Sequence, residues 1–236
     1  MDGKAPYLIG AGIYSVPEAS RLTGVSAARI RRWLRGYHFV SSGSPHRQRP
    51  VWSPALPEID GKLALAFLDL VEIRFVDAFL NQGVTWQVLR KAAAKAQDFV
   101  GTSHPFSTRK FKTDGRHIFA ELEDAKGGTS LIELLKSQHY FERVISPYLK
   151  DLEFDGDEPS RWWPLGLNRR QIVIDPARSF GQPIIATRGI PTAVLAQAVK
   201  AHGSIAEVAR WYETDVASVK AAVRFEQRLS QNKIAA

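Results

Sequence analysis

The stretch from Ser15 to Arg35, SVPEASRLTGVSAARIRRWLR, leaves little freedom in how it folds. Ser15 followed by Glu18 three residues later makes a capping box, and Pro17 falls in the first turn, where its missing N–H does no harm. A helix starts here. Ala19 and Leu22 give it an apolar face, Gly24 ends it, and Ser26 caps a second helix that runs to about Gly36. The break between them predicts a helix-turn-helix corner.

On the second helix Ile30 and Leu34 stand four apart and are expected in the core with Val25, with Trp33 at the flank. Arg29, Arg31, Arg32 and Arg35 then cover much of the remaining circumference. Arginines grip guanine edges with two donors and phosphates with one, which is what a helix lying in a major groove needs. The charge is also localised: residues 1–50 hold eight cations against Asp2 and Glu18, so they carry +6 of the net +8. A polyanion site is therefore expected in the N-terminal fifth of the chain.

After this helix, GYHFVSSGSPHRQRPVWSP reads as two short strands around a Ser/Gly/Pro turn, a hairpin wing. His46, Arg47 and Arg49 on it are placed to reach a phosphate or a minor groove, and they complete a candidate DNA-binding set of Ser26, Arg29, Arg31, Arg32, Arg35, His46, Arg47 and Arg49. The order of Tyr14, the Thr23–Ser26 turn, the arginine-rich helix and the wing resembles the MerR-like winged helix-turn-helix. No long C-terminal heptad repeat follows, so the usual dimerisation device of that family is absent. Residues 60–97 predict two more helices, separated by Gly83 and with Thr85 as a cap, that complete the core beneath the wing.

From about residue 100 the pattern becomes strand-rich. An alternating segment around Asp114-Gly115 predicts a tight hairpin. LIELLKSQHYFERVISPYL predicts a helix up to Pro147, and LKDLEF, RWWPLG and RQIVIDP predict short strands. The loop DGDEPS, with Asp155, Asp157 and Glu158, lacks the spacing of a calcium loop and reads as a solvated turn.

Residues 204–224, SIAEVARWYETDVASVKAAVR, align without gaps to residues 15–35: Ser204 with Ser15, Glu207 with Glu18, Asp215 with Ser26, and Val219 and Val223 with Ile30 and Leu34. Five arginines oppose one glutamate in the first copy, whereas Arg210, Lys220 and Arg224 are balanced by Glu207, Glu213 and Asp215 in the second. Charge thus assigns the first copy to DNA and the second to protein contacts.

Segment 166–230, with its Ile172-Val173-Ile174-Asp175-Pro176 strand, its Gly181-Gln182-Pro183 hairpin, its Arg188-Gly189-Ile190-Pro191 helix start and its Ala-x-x-x-Glu ending, resembles family 433 of the domains of unknown function. With the N-terminal unit in front, nearly the whole chain resembles the longer VapB-type antitoxins. That resemblance implies a type II toxin–antitoxin module, in which the antitoxin blocks a PIN-like ribonuclease toxin and represses the shared promoter by binding double-stranded operator DNA.

The expected fold is α+β: a winged helix-turn-helix at 1–97, a strand-rich middle at 98–163, and at 164–236 a β-hairpin with three helices. A single winged unit reads few base pairs, so a homodimer or a larger toxin–antitoxin assembly is expected. The chain has no cysteine, and the N-terminal stretch shows no signal peptide or membrane span, so a cytoplasmic protein is expected. The six histidines show no i, i+3 or i+4 pairing, and there is no nucleophile elbow, phosphate loop or dinucleotide fingerprint, so neither enzyme activity nor a cofactor or metal is expected. The rival reading is a stand-alone MerR-like regulator with a small-molecule effector held by Trp162, Trp163, Phe119 and Tyr148.

Overall fold

The computed structural model describes residues 10–41, 43–111 and 138–234. The hairpin expected at Asp114-Gly115, and Phe119, lie outside the described residues.

The fold is α+β, as expected. A short strand, β1 (Tyr14–Ser15), leads into α1 (Val16–Thr23); residues 24–26 turn the chain into α2 (Ala27–Arg35). The capping box forms at Ser15, with Glu18 bonded back to the Ser15 amide. Gly24 takes φ 77° and Ser26 accepts the Arg29 amide. These are the local signals legible in the sequence. The wing follows as β2 (Tyr37–Ser41) and β3 (Ser44–Gln48), paired antiparallel with Tyr37 opposite Gln48 and Phe39 opposite His46.

Behind this unit, β4 (Ala64–Leu65) pairs with β1, and α3 (Phe67–Asn81) and α4 (Trp86–Val100) supply the bulk of the core. Thr85 caps α4, as expected. Phe67, Phe75, Phe79, Phe106 and Phe111 are fully buried, and Phe79 meets the last two rings edge to face. Each such side chain contributes roughly 1.5–3 kcal/mol of burial. That interior is what holds α2 and the wing at the surface.

The next described helix, α5, spans Gln138–Leu149 and does not stop at Pro147. Proline in the last turn forgoes one amide bond and does not break what lies before it. Four strands follow: β5 (Leu152–Asp155), β6 (Glu158–Trp162), β7 (Ile172–Ile174) and β8 (Pro183–Ile185), in sheet order β5-β6-β7-β8 and all antiparallel. The acidic stretch becomes the tight turn between β5 and β6. A single residue pair, Trp162 with Ile174, joins the two hairpins, so the sheet runs across residues 163 and 164.

The chain ends in three helices, α6 (Thr192–His202), α7 (Ile205–Trp211) and α8 (Val216–Ile234), around Leu195, Val208, Val219, Phe225 and Leu229. Leu22 of α1 packs against this cluster as well as the main one. The Asn232 amide donates to the Arg21 carbonyl at 3.3 Å, so α8 is fastened along α1.

Of the aromatic residues named as effector-pocket walls, the described ones, Trp162, Trp163 and Tyr148, are packing residues. Trp162 and Trp163 are buried in two different clusters, and Tyr148 lies against Phe75. The Arg74 guanidinium sits 4.2 Å from the Trp162 ring centre, and Asp151 accepts from both Arg74 and the Trp162 indole at 2.7 Å. Burial lowers the Arg74 pKa while Asp151 opposes the shift.

Candidate nucleic-acid interface

The cap at Ser26 and the burial of Ile30 and Leu34 orient α2, leaving its opposite side to solvent. Trp33 departs from expectation. It is only 2% exposed, its ring meets Trp86 edge to face at 5.6 Å, and so it anchors α2 to α4 and does not lie at the flank. A sequence repeat of four predicts Ile30 and Leu34 inside; the neighbouring α4 decides that Trp33 joins them.

The four helix arginines divide into two pairs. Arg29 makes a 2.8 Å ion pair with Asp77 of α3 and lies over the Trp33 ring. Arg35 donates through Nε and Nη2 to Glu58 and through Nη2 to the Gly61 carbonyl. Both heads are therefore engaged within the chain. Arg31 and Arg32 are exposed and have no carboxylate partner among the described residues; Arg32 rests 5.5 Å from the Tyr37 ring centre. The Ser26 hydroxyl is occupied as a cap, at 3.4 Å from the Arg29 amide.

On the wing, His46 and Arg47 are exposed, and Arg49 lies exposed just beyond β3. His46 stacks on Phe39 at 5.3 Å, and Tyr37 adjoins Phe39 at 5.8 Å. An aromatic ladder thus stands uncovered on the hairpin, with Val40 73% exposed near its tip. Gly36 makes the geometry possible. At φ 71°, it lies so close to Gln48 that a Cβ would come within 2.1 Å of the Gln48 carbonyl oxygen.

Between α2, the wing and the start of α4 lies a groove of about 590 Å³ lined by Arg29, Arg32, Tyr37, Trp86 and Arg90, among others. Sequence reasoning missed Trp86 and Arg90. Arg90 donates to the Pro50 carbonyl at 2.9 Å, which ties α4 to the end of the wing. The only sequence signal was the i, i+4 placement of Trp86 and Arg90 on a capped helix, and that does not say which neighbour they face.

A buried polar cluster lies at Trp52, just after the wing. Asp69 accepts from the Trp52 indole at 3.0 Å and from the Ala55 and Ala66 amides, and it contacts His104 Nε2 at 2.8 Å. Glu72 accepts from the Phe106 and Ser107 amides. Burial pushes the Glu72 carboxyl up to about 7, against the lowering effects of His104 and the two amides. For His104 burial disfavours the charge, but the Asp69 bond and the carboxylates of Asp69, Glu72 and Glu158 outweigh it and raise its pKa. These partners make His104 a structural core histidine. Among the described residues no group of three or more His, Cys, Asp or Glu could hold a metal ion.

The second copy repeats the first closely. Ser204 caps α7 by accepting the Glu207 amide and Asp215 caps the start of α8 by accepting the Ser218 amide. Val219 is fully buried, like Ile30. Glu213, at the position of Gly24, takes the same left-handed conformation, with φ 48°. Asp175, which ends the Ile-x-Ile-Asp-Pro strand, is buried and accepts from the Ala177 amide and the Arg161 guanidinium.

Residues 172–225 match the family described as Protein of unknown function (DUF433), which begins at β7 and ends within α8. The chain is 26% identical over 210 residues to the protein named "Putative antitoxin VapB45" of Mycobacterium tuberculosis, covering 85% of this chain and 87% of that one. In fold it is similar to the crystal structure of Rv2018 from Mycobacterium tuberculosis, with a TM-score of 0.69 at 23% identity over 89% of this chain and 96% of that one. Over most of its length, then, the chain is similar to a protein named as a putative antitoxin, and its residues 172–225 match the family of unknown function.

Proposed function

We propose that this chain is the antitoxin of a type II toxin–antitoxin module. In this reading residues 1–97 form a MerR-like winged helix-turn-helix that binds double-stranded operator DNA and represses the module's promoter. Residues 98–163 and 164–236 form a middle segment and an antitoxin-like C-terminal domain. The partner is a PIN-like ribonuclease toxin, which the antitoxin neutralises in the cytoplasm without catalysing a reaction of its own. The observation that carries the DNA reading is the pair of exposed arginines, Arg31 and Arg32, without a carboxylate partner among the described residues, the second of which lines the groove beside the uncovered wing. Support for the toxin partner is the likeness to the protein named as an antitoxin. That no helix among the described residues is long and apolar enough to cross a membrane accords with this reading.

On this proposal Arg31 and Arg32 are the base-reading candidates, and His46, Arg47 and Arg49 touch the backbone. Arg29, Arg35 and Ser26 contact DNA only through what their internal partners leave available. Two copies would read half-sites about 34 Å or a multiple apart. Co-expression of the tagged chain with the neighbouring genes of its operon, followed by a high-salt, nuclease-treated purification, tests the toxin. A stoichiometric small ribonuclease is expected; a bare homodimer that still binds promoter DNA would leave a stand-alone regulator.

A further inference from the structure

The charge balance of residues 204–224 is not even along the fold: Lys220 and Arg224 line a groove with no acidic residue in its wall. Asp215 and Glu213 lie at the start of α8, where Asp215 is used as a cap, and Glu207 lies in the first turn of α7. Lys220, Arg224 and Arg228 recur every fourth residue along α8, and with Arg169 from the β6–β7 connection they line a groove of about 360 Å³ with no acidic residue in its wall. All four are exposed. Arg228 donates to the Pro164 carbonyl and lies over Phe225; Arg169, Lys220 and Arg224 have no carboxylate partner among the described residues.

The repeat says where this groove stands. With Ser204 over Ser15 and Val219 over Ile30, Lys220 falls at the position of Arg31 and Arg224 at that of Arg35. Whereas Arg35 is held by Glu58, its counterpart in the second copy has no such carboxylate among the described residues. We infer that the C-terminal domain carries a second site for the phosphate backbone of duplex DNA, formed by Arg169, Lys220, Arg224 and Arg228.

Three observations favour this ligand. Successive cations on α8 are about 6 Å apart along its axis, so they present a row of charge to a linear polyanion. Phe225 is buried, and no other aromatic lines the groove, so the stacking platform that single strands use is absent. An acidic protein would be expected to bring an aromatic or aliphatic anchor into a pocket, whereas the groove offers small residues, Ala217 and Ala221, beside its cations. Uncompensated like charges repel, and a polyanion relieves them. The contacts are to phosphate alone, so they raise affinity for every sequence equally.

The inference rests on the reading that this chain binds DNA, and the test separates the two. The full chain is titrated with a labelled duplex of scrambled sequence at several salt concentrations, comparing wild type with Lys220→Ala/Arg224→Ala and with Arg31→Ala/Arg32→Ala. The first pair should flatten the log–log salt slope by about 0.9 per lost phosphate contact, close to 2 in all, and Lys220→Arg/Arg224→Lys should restore it. An unchanged slope and affinity for Lys220→Ala/Arg224→Ala overturns the second site while leaving the N-terminal reading intact. Loss with that pair and none with the N-terminal pair supports the second site and removes the first. Release of a co-purified toxin by the same pair, with DNA binding unaltered, overturns the inference in favour of a protein surface, and a wild-type chain that binds no duplex overturns both.

Discussion

The hydroxyl of Tyr14 donates a 2.7 Å hydrogen bond to the carbonyl oxygen of Gly181, joining the strand before α1 to the loop before β8 across 167 residues. Beside it the Ile13 amide donates to the Phe180 carbonyl at 3.0 Å. The phenol is buried, and burial holds its pKa well above the ordinary tyrosine value. Gly181, at φ 81°, has no room for a Cβ, which would lie 2.1 Å from the Tyr14 hydroxyl oxygen. The strand before α1 and the loop before β8 are thus keyed together where an aromatic residue marks the start of the N-terminal unit.

Tyr14→Phe should destabilise the chain by about 1–3 kcal/mol, because the Gly181 carbonyl loses its buried donor. Gly181→Ala should cost more, since it adds a clash to a left-handed backbone. The two effects should be non-additive, as expected of residues in contact. Urea unfolding of both single variants and the double variant measures this; simple additivity would mean that the two residues are energetically independent.

The division among the helix arginines predicts different phenotypes on one helix. Arg31→Ala or Arg32→Ala should leave stability within about 0.5 kcal/mol and cost roughly 1–3 kcal/mol in specific operator affinity. Arg29→Ala should act mainly on the fold, and weakly: an ion pair this open to solvent contributes at most about 1 kcal/mol. Arg49→Ala should weaken operator and scrambled DNA alike. Gel shifts on both DNAs with parallel melting curves separate these classes, and equal losses on both DNAs for Arg31→Ala would remove its base-reading role.

What could be read in advance was local. Ser15, Glu18, Gly24, Ser26 and Thr85 act on residues within one turn of themselves, so their roles are written in short spacings. The pairing of Arg29 with Asp77 and of Arg35 with Glu58 depends on how α2 meets elements tens of residues away, which no helical periodicity encodes. The same applies to Asp69, Glu72 and His104. Asp69 and Glu72 interrupt an apolar helix and His104 lies on a distant loop, and the three converge in the interior because their partners there include backbone amides and an indole. A charge sum over 204–224 likewise does not reveal that Lys220 and Arg224 come to line one groove with no acidic residue in its wall.

The buried pair of Glu72 and His104 sets a pH dependence of stability. Glu72 titrates near 7 in the folded chain against 4.5 for its ordinary value, so the native state binds the extra proton and stability falls as pH rises through that window. His104, raised above 6.5, contributes stability that is fully present below 6.5 and is lost as pH rises through its folded pKa. Both act in the same direction. The urea midpoint should therefore be higher at pH 6 than at pH 8, and Glu72→Gln, though less stable overall, should show a smaller difference between the two. A midpoint that rises from pH 6 to pH 8 would contradict the raised values.

The two corner residues of the repeat offer a test in opposite directions. Gly24 and Glu213 both have left-handed backbones, at φ 77° and 48°, but only the first is a glycine. An L side chain in that region costs roughly 1–2 kcal/mol, and glycine removes the penalty at the end of a helix. Glu213→Gly should therefore stabilise the chain, by about 1 kcal/mol, and it also takes a negative charge off the acidic end of the second copy. Gly24→Ala should cost a similar amount and no more, because a Cβ there meets nothing within 4 Å. Gly36→Ala is the contrast: the added methyl group runs into the Gln48 carbonyl, so the wing must move and DNA affinity should fall together with stability. Denaturation midpoints for the three variants, with gel shifts on the third, give the ranking. If Glu213→Gly proves destabilising, the Glu213 side chain makes a contact that outweighs its strained backbone.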